Sequence, residues 1–345
     1  LPGGQRTVAQ MATVDDLEVD ATTLRLRLSL HTGSLDEAAS LRDLLERVLG
    51  ELPEVDAVEV EVRPALPTAG GAGAAPSPQQ TPGPEPGWAR HIPEVRHVLA
   101  VASGKGGVGK STVAANLALA LAARERAVGL LDADIYGPSQ QLMMGAASPP
   151  EGDEAGRIHP VTAPGGVRVM SFGYIIEPDQ PVIWRGPMLM KALEQFFADV
   201  VWGSLHELVV DLPPGTGDVV LSLCQNVPMA GAVIVSTPQD VALVDARKAL
   251  HMFRKLEVPV LGLVENMSSY TCPACGHEEH VFGHEGGRRT AGELGIPFLG
   301  AIPLDPAVVT GGDTGRPVVT DRPASPAARA FTEIAEAVAG AVDGR

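Results

Sequence analysis

Cysteine is nearly absent. The 345 residues hold three, Cys224, Cys272 and Cys275. That is too few for a disulfide framework and suits a reducing cytosol, so a cytoplasmic protein is expected. Aromatic residues make up 4% of the chain, so the core has to be aliphatic, which suits a buried parallel sheet covered by helices on both faces. No run of about 18 uncharged apolar residues occurs, which excludes a membrane-spanning helix. Positive charge is also short: the net charge of −16 argues against general binding to nucleic acid or to an anionic membrane. Residues 1–10 lack the basic-then-apolar layout of a secretory signal, and a start at Leu1 rather than Met reads as truncated or processed.

Lysine is the scarcest charge. Five lysines (Lys105, Lys110, Lys191, Lys248 and Lys255) stand against 21 arginines, and two of the five share one glycine-rich loop. In a chain that prefers arginine, such a pair indicates a chemical demand.

Residues 1–63 read as a small α+β domain. Thr23–Leu30 alternates with period two, as a half-buried strand does, and Val55–Val62 does the same. Between them Ser34 and Glu37 form a capping box ahead of a helix whose apolar stripe is Leu41, Leu44, Leu45 and Val48. Residues 64–90, rich in Pro, Gly and Ala, read as a linker unable to bury enough apolar surface to fold. From 91 to 345, apolar strands alternate with helical segments, the pattern of a doubly wound, mostly parallel α/β sheet.

The first strand of that domain runs into Gly104-x-x-x-x-Gly109-Lys110-Ser111, which fits the P-loop pattern in its required context of strand, loop and helix. The backbone of Gly104, Lys105, Gly106, Gly107, Val108 and Gly109 would turn its N–H groups toward phosphates, and the helix N-terminus adds partial positive charge. Lys110 would reach the β- and γ-phosphates of ATP, the Ser111 hydroxyl would ligate Mg²⁺, and Thr112 would cap the helix or touch the α-phosphate. Two further strands end in acids. Asp132 and Asp134 stand at one carboxyl edge and Asp211 at another, where ligands of open α/β sheets gather. Asp211 is expected to hold Mg²⁺ through water, and Asp134 to orient or activate the attacking water. Asp218 reads as a helix N-cap.

The loop with its extra lysine resembles the deviant Walker A motif of MinD/ParA-type ATPases. The blocks DADIYGPS (Asp132–Ser139), WRGPM (Trp184–Met188), DLPPGTGD (Asp211–Asp218), TPQDVAL (Thr237–Leu243) and VENMS (Val264–Ser268) resemble, in order, the Mrp/ApbC family of iron–sulfur cluster carrier ATPases. The resemblance covers roughly residues 91–320. It implies that Lys110 serves its own nucleotide while Lys105 reaches the partner's across a homodimer, that Asn266 reads the adenine edge, and that Pro303 lies beside the base.

Cys272-x-x-Cys275 can chelate one soft metal centre, and on spacing alone it could be a redox pair, half a zinc knuckle or half an Fe–S site. A redox pair normally opens a helix, which Pro273 and Gly276 do not favour. Zinc within one chain would need His277 and His280, and His277 lies only two residues after Cys275, a cramped span for the same ion; the spacing favours a bridged cluster over zinc. A tetrahedral zinc or a [4Fe–4S] cluster wants four ligands, Cys224 lies in an apolar helical run as a buried small residue, and two copies of the chain supply four thiolates. The resemblance likewise implies a labile [4Fe–4S] cluster bridged between protomers and passed to apo iron–sulfur proteins. The N-terminal domain resembles, more weakly, the small iron–sulfur-assembly domain often fused ahead of such ATPases. Where that domain commonly has a cysteine, this chain reads HTGSLDEAAS, which argues against a thiol-based role there. The competing expectation is a MinD/ParA-like ATPase cycling on membrane or nucleoid. It would need a basic tail or patch, and the last 20 residues have no lysine and three acids.

Overall fold

A computed structural model describes residues 12–20, 23–30, 35–50, 57–63, 87–176 and 186–344. The chain forms two compact units, residues 1–80 and 81–345.

In the smaller unit, β1 (Ala12–Asp20), β2 (Thr23–Leu30) and β3 (Ala57–Arg63) form one sheet in that order, with α1 (Leu35–Gly50) against β3. Strand β2 runs antiparallel to β1 and parallel to β3. The alternation of TLRLRLSL and AVEVEVR puts Leu28 and Val60 into a core shared with Leu41. Strand β1 was not expected. Its ATVDDLEVD is acid-rich, and a register shift between Val14 and Asp16 breaks the period that would have revealed it. The helix stripe also differs from expectation. Leu41, Leu45 and Leu49 face the core at a spacing of four, and Val48 is 53% exposed. Residues 31–34, which include Ser34, and residues 64–86 lie outside the described residues; the rest of HTGSLDEAAS opens α1.

The larger unit opens with β4 (Val95–Ser103), α2 (Lys110–Ala122), β5 (Val128–Asp132) and the short α3 (Gln140–Met143). A small hairpin, β6 (Glu151–Gly152) and β7 (Ile158–His159), precedes β8 (Val161–Thr162) and β9 (Arg168–Ser171). Then come α4 (Gly186–Ala198), β10 (Leu205–Asp211), α5 (Asp218–Asn226), β11 (Met229–Ser236), α6 (Asp240–Lys255) and β12 (Val260–Asn266). A second hairpin, β13 (Tyr270–Thr271) and β14 (Glu278–Glu279), leads to α7 (Gly286–Leu294), β15 (Phe298–Ile302), α8 (Pro306–Asp313), α9 (Val318–Asp321) and α10 (Pro326–Asp343).

Eight strands form one sheet in the order β15-β12-β11-β4-β10-β5-β9-β8. Every pairing is parallel except β8 with β9 at the edge, so the fold is the expected doubly wound α/β sheet. Successive residues of β4 feed opposite cores. Leu99 and Val101 pack under α2 and α10, whereas Val98, Ala100 and Ala102 pack with Leu193, Phe197 and Phe253 on the other face. Because the strands are parallel, Ser103, Asp132, Asp211 and Asn266 all finish at one edge.

Residues 87–90, counted into the linker on composition, belong to the folded unit. Trp88 is buried, its N–H donates to the Asn226 carbonyl at 2.9 Å, and its ring lies 5.7 Å from that of Phe197. Trp184 and Arg185 lie outside the described residues. Asp218 is not a cap: it is the first residue of α5, exposed, with Gly217 at the N-cap. Among the described residues no helix is long and apolar enough to cross a membrane.

Helix α10 starts on a capped turn, where Ser325 Oγ accepts from the Ala328 N–H at 3.1 Å, and it packs against α2 and β15. Phe331 on this helix is fully buried. Phe331→Ala is expected to destabilise the larger unit by about 3–5 kcal/mol, read as a lower urea midpoint; a midpoint unchanged from wild type would show that α10 is not part of that core.

Candidate nucleotide and thiol site

The P-loop takes its shape from two glycines. A Cβ on Gly104 would lie 2.1 Å from the Asp245 carbonyl carbon, because the backbone of α6 passes directly behind the loop. Gly109 has a φ of +83°, and a Cβ there would meet Asn266 Nδ2 at 2.1 Å. Neither position admits a side chain. Asn266 is buried and donates Nδ2–H to the Val108 carbonyl at 2.9 Å, so the last residue of β12 braces the loop from the side. Its Oδ1 accepts no hydrogen bond among the described residues. Gly106 and Gly107 have open space around them.

Lys110 is buried at the start of α2. Its ammonium pairs with Asp211 Oδ1, lies 3.6 Å from Asp134 Oδ2 and donates to Ser111 Oγ at 3.3 Å. Asp211 is fully buried, and its Oδ2 accepts from Gln140 Nε2 at 2.8 Å. Lys110, Ser111, Asp134 and Asp211 therefore converge as the sequence reading expected. Asp132 is placed differently. It is fully buried and its carboxylate is occupied within the chain, accepting from the N–H groups of Asp134 (3.2 Å), Ser139 (2.8 Å) and Gln140 (3.0 Å) and from Ser171 Oγ (2.9 Å). Its geometry is that of a loop anchor that sets the path of residues 134–140. Burial, and then the nearby charge of Asp211, raise its pKa above the ordinary carboxylate value. Burial also raises that of Asp134, with Lys110 opposing and Asp211 adding to the shift.

The residues fit a hydrated cation beside a phosphate chain. Asp134 Oδ1 is a buried acceptor without a donor among the described residues, and its carboxylate shares the Lys110 ammonium with Ser111 and Asp211. Lys105 is half-buried, and no carboxylate among the described residues pairs with its ammonium. Thr112 lines a cavity of about 340 Å³ with Ser139, Met143 and Val308.

Four residues beyond Asn266 the chain turns into the β13–β14 hairpin. The two cysteines sit in its turn, where the Cys272 N–H donates to the His277 carbonyl and the Gly276 N–H to the Cys272 carbonyl, both at 2.8 Å. Cys272 is half-buried and Cys275 exposed. Backbone N–H groups of Ala274 and Cys275 point at the Cys272 sulfur and lower its pKa. No helix follows the pair, so it lacks the setting of a thioredoxin-like redox site. Among the described residues no three His, Cys, Asp or Glu side chains gather as metal ligands, which disfavours zinc through His277 and His280. His280 instead directs Nδ1 at the Ser268 carbonyl (3.0 Å), with its ring 4.1 Å from that of His284. Pro303 is half-buried and shares a cavity of about 430 Å³ with Ser268, Thr271, Glu278, His280 and Arg288, so it borders the hairpin as well as β15. Cys224 is buried in α5, and burial pushes its thiol up to about 12.

Sequence reasoning missed Gln140 and Ser171, whose roles depend on strands that meet only in the fold. The polar pair following DADIYGPS was the one signal for the first of them.

Residues 94–339 match the family model for ParA proteins, described as NUBPL iron-transfer P-loop NTPases. An iron-sulfur cluster carrier protein of Synechocystis sp. is 43% identical over 99% of this chain and 94% of its own length. The mouse iron-sulfur cluster transfer protein NUBPL is 52% identical over 72% of this chain and 78% of its own. Among solved structures, a nucleotide-binding protein from Archaeoglobus fulgidus in complex with ADP superposes with a TM-score of 0.61 at 34% identity, covering 71% of this chain and 96% of that one.

The thiol environments generate a labelling order. Iodoacetamide at about pH 8 is expected to modify Cys272 and Cys275 in the native apo-protein and Cys224 only after denaturation, because the reactive species is the accessible thiolate. As pH falls, Cys272 should keep its reactivity further than an unperturbed thiol would. Peptide mass mapping reads both results, and native labelling of Cys224 would contradict the packing of α5.

Proposed function

Because the chain belongs to the NUBPL-type family of iron-transfer P-loop NTPases, we propose that it is a cytoplasmic ATPase that carries a labile [4Fe–4S] cluster between two copies of itself and delivers it to apo-proteins. The observation that carries this reading is the continuity between the two candidate sites. The strand that presents the thiol hairpin ends in Asn266, and Asn266 is hydrogen-bonded to the phosphate loop. A change in the loop on nucleotide binding or hydrolysis is transmitted through β12 to the hairpin, two discrete sites sharing one rigid element.

The nucleotide half of the function rests on Gly104 to Thr112. The loop amides hold the phosphates, and Lys110 gives up its pairing with Asp211 in favour of phosphate oxygen. Ser111 and Asp211 would hold Mg²⁺, which would supply positive charge to neutralise the phosphate chain. Asp134, with Oδ1 unpaired, orients the attacking water, and its raised pKa suits a group that receives a proton. Asp132 acts one step removed, by fixing the loop that carries Asp134. The free Oδ1 of Asn266 suits the amino edge of the base, and Pro303 suits its flank. Lys105 has no anionic partner among the described residues and reaches the nucleotide of the second copy.

Cluster cargo rests on Cys272 and Cys275. Two thiolates per chain become four in a two-fold pair, the ligand number of a [4Fe–4S] cluster. Both features call for the same homodimer, one through Lys105 and the other through the half-site.

Anaerobic reconstitution is expected to load about four irons per dimer, and Cys272→Ala or Cys275→Ala to abolish loading; full loading in the double variant would exclude this cargo site. For hydrolysis, Lys105→Ala should lower kcat by roughly 10²–10³ while sparing most ATP affinity, whereas Lys110→Ala should damage both. Equal, mild losses at the two lysines would reduce Lys105 to a solvated charge.

A further inference from the structure

Gln140 joins three motifs that the sequence keeps apart. Its side-chain nitrogen donates to Asp211 Oδ2 at 2.8 Å and to the Ser111 carbonyl at 3.0 Å, and its backbone N–H donates to Asp132 Oδ2 at 3.0 Å. The residue is completely buried. Two acceptors facing one end of the amide identify that end as the NH₂ group. The other end is therefore Oε1, and it has no donor among the described residues.

A buried acceptor left unpaired costs about 1–3 kcal/mol, and folded proteins seldom retain one. Here two occur at one site, Gln140 Oε1 and Asp134 Oδ1. Both belong to the cluster formed by Lys110, Ser111 and Asp211. A group rich in donors would satisfy them, and Mg²⁺ is one, because it dehydrates reluctantly and keeps several waters when it binds. Ligand-orienting residues outside the metal's own ligands have this character: one end fixes a ligand residue and the other meets the hydration shell.

We infer that Gln140 is a positioning residue for the Mg²⁺ state of the nucleotide site: its NH₂ group holds Asp211 against the start of α2, and its Oε1 accepts a hydrogen bond from the cation's hydration shell. The inference rests on the nucleotide reading above and adds a determinant of cation affinity that lies outside the P-loop and outside both acidic strand ends. A competing role, a tie between loop and sheet alone, would affect stability and leave cation dependence untouched.

The test is calorimetric titration of the full-length chain with ADP, in EDTA and across a Mg²⁺ series, for wild type and Gln140→Met. Methionine keeps the length of the side chain and removes both hydrogen-bonding ends. Expected is an apparent Mg²⁺ affinity of the ADP complex weakened about 10–100-fold, with ADP affinity in EDTA within about twofold of wild type. Unchanged Mg²⁺ affinity in the folded variant overturns the inference, as does an equal loss of ADP affinity with and without Mg²⁺. Should Gln140→Met fail to fold, Gln140→Asn keeps an amide on a stem too short to span both partners and is expected to show the same Mg²⁺ defect. Wild-type ADP binding indifferent to Mg²⁺ would bring down the nucleotide reading itself, an outcome distinct from a normal wild type with a normal variant.

Discussion

Two carboxylates share the centre of this fold. Asp132 and Asp211 are register partners at the ends of neighbouring parallel strands, and both are wholly buried. Like charges so placed repel, and desolvation penalises each. The surroundings answer the two acids differently. Asp132 is satisfied by donors, three backbone N–H groups and a hydroxyl, and in satisfying it the chain from 134 to 140 is wrapped around the strand end. Asp211 is satisfied by a cation, Lys110, together with the amide of Gln140. Removing the cation alone would leave an uncompensated buried charge, a loss of about 3–5 kcal/mol.

That arrangement ties stability to chemistry. Lys110 is held by Asp211 and Asp134, so under the proposed function phosphate would have to compete for its ammonium. Asp211 would then be left with unbalanced charge for a divalent cation to balance. Nucleotide and metal are thus expected to bind as a couple. Gly104 abuts the backbone of α6 and Gly109 abuts Asn266, so a displacement of the loop would press on α6 and on the end of β12.

The sheet was legible because buried parallel strands are written as apolar runs between helical segments, and the P-loop because its pattern came with its strand and its helix. The unexpected features share a physical cause. Strand β1 hides behind acids and a bulge, and Val48 loses its place in the α1 stripe to Leu49, since a spacing of four outlasts one of three on that face. Residues 87–90 looked like linker in composition, but a single tryptophan buried against Phe197 recruits them to the fold. At the site, residue type gave the acids but not their division of labour. Asp132 and Asp134 stand two apart on one strand end, and the donors arriving from Ser139, Gln140 and Ser171 separate the anchor from the carboxylate that faces Lys110. Those donors come from a turn and from β9, a relation that linear spacing does not contain.

The thiol hairpin follows the opposite principle from the carboxylate centre. The acids are enclosed, over-determined by partners and set by the sheet. The cysteines stand outside it, on a two-residue-per-strand hairpin closed by backbone bonds, one half-buried and one exposed, with no third ligand gathered around them among the described residues. A protein that has to give a cluster away needs ligands an acceptor can reach, and a site that becomes complete only through something outside the chain. Under the proposed function, a second copy provides that completion, and the grip on the cargo then depends on how the two hairpins are held. Under the same reading Asn266 links that variable to the phosphate loop, so the energy of nucleotide binding would act on a loosely built hairpin.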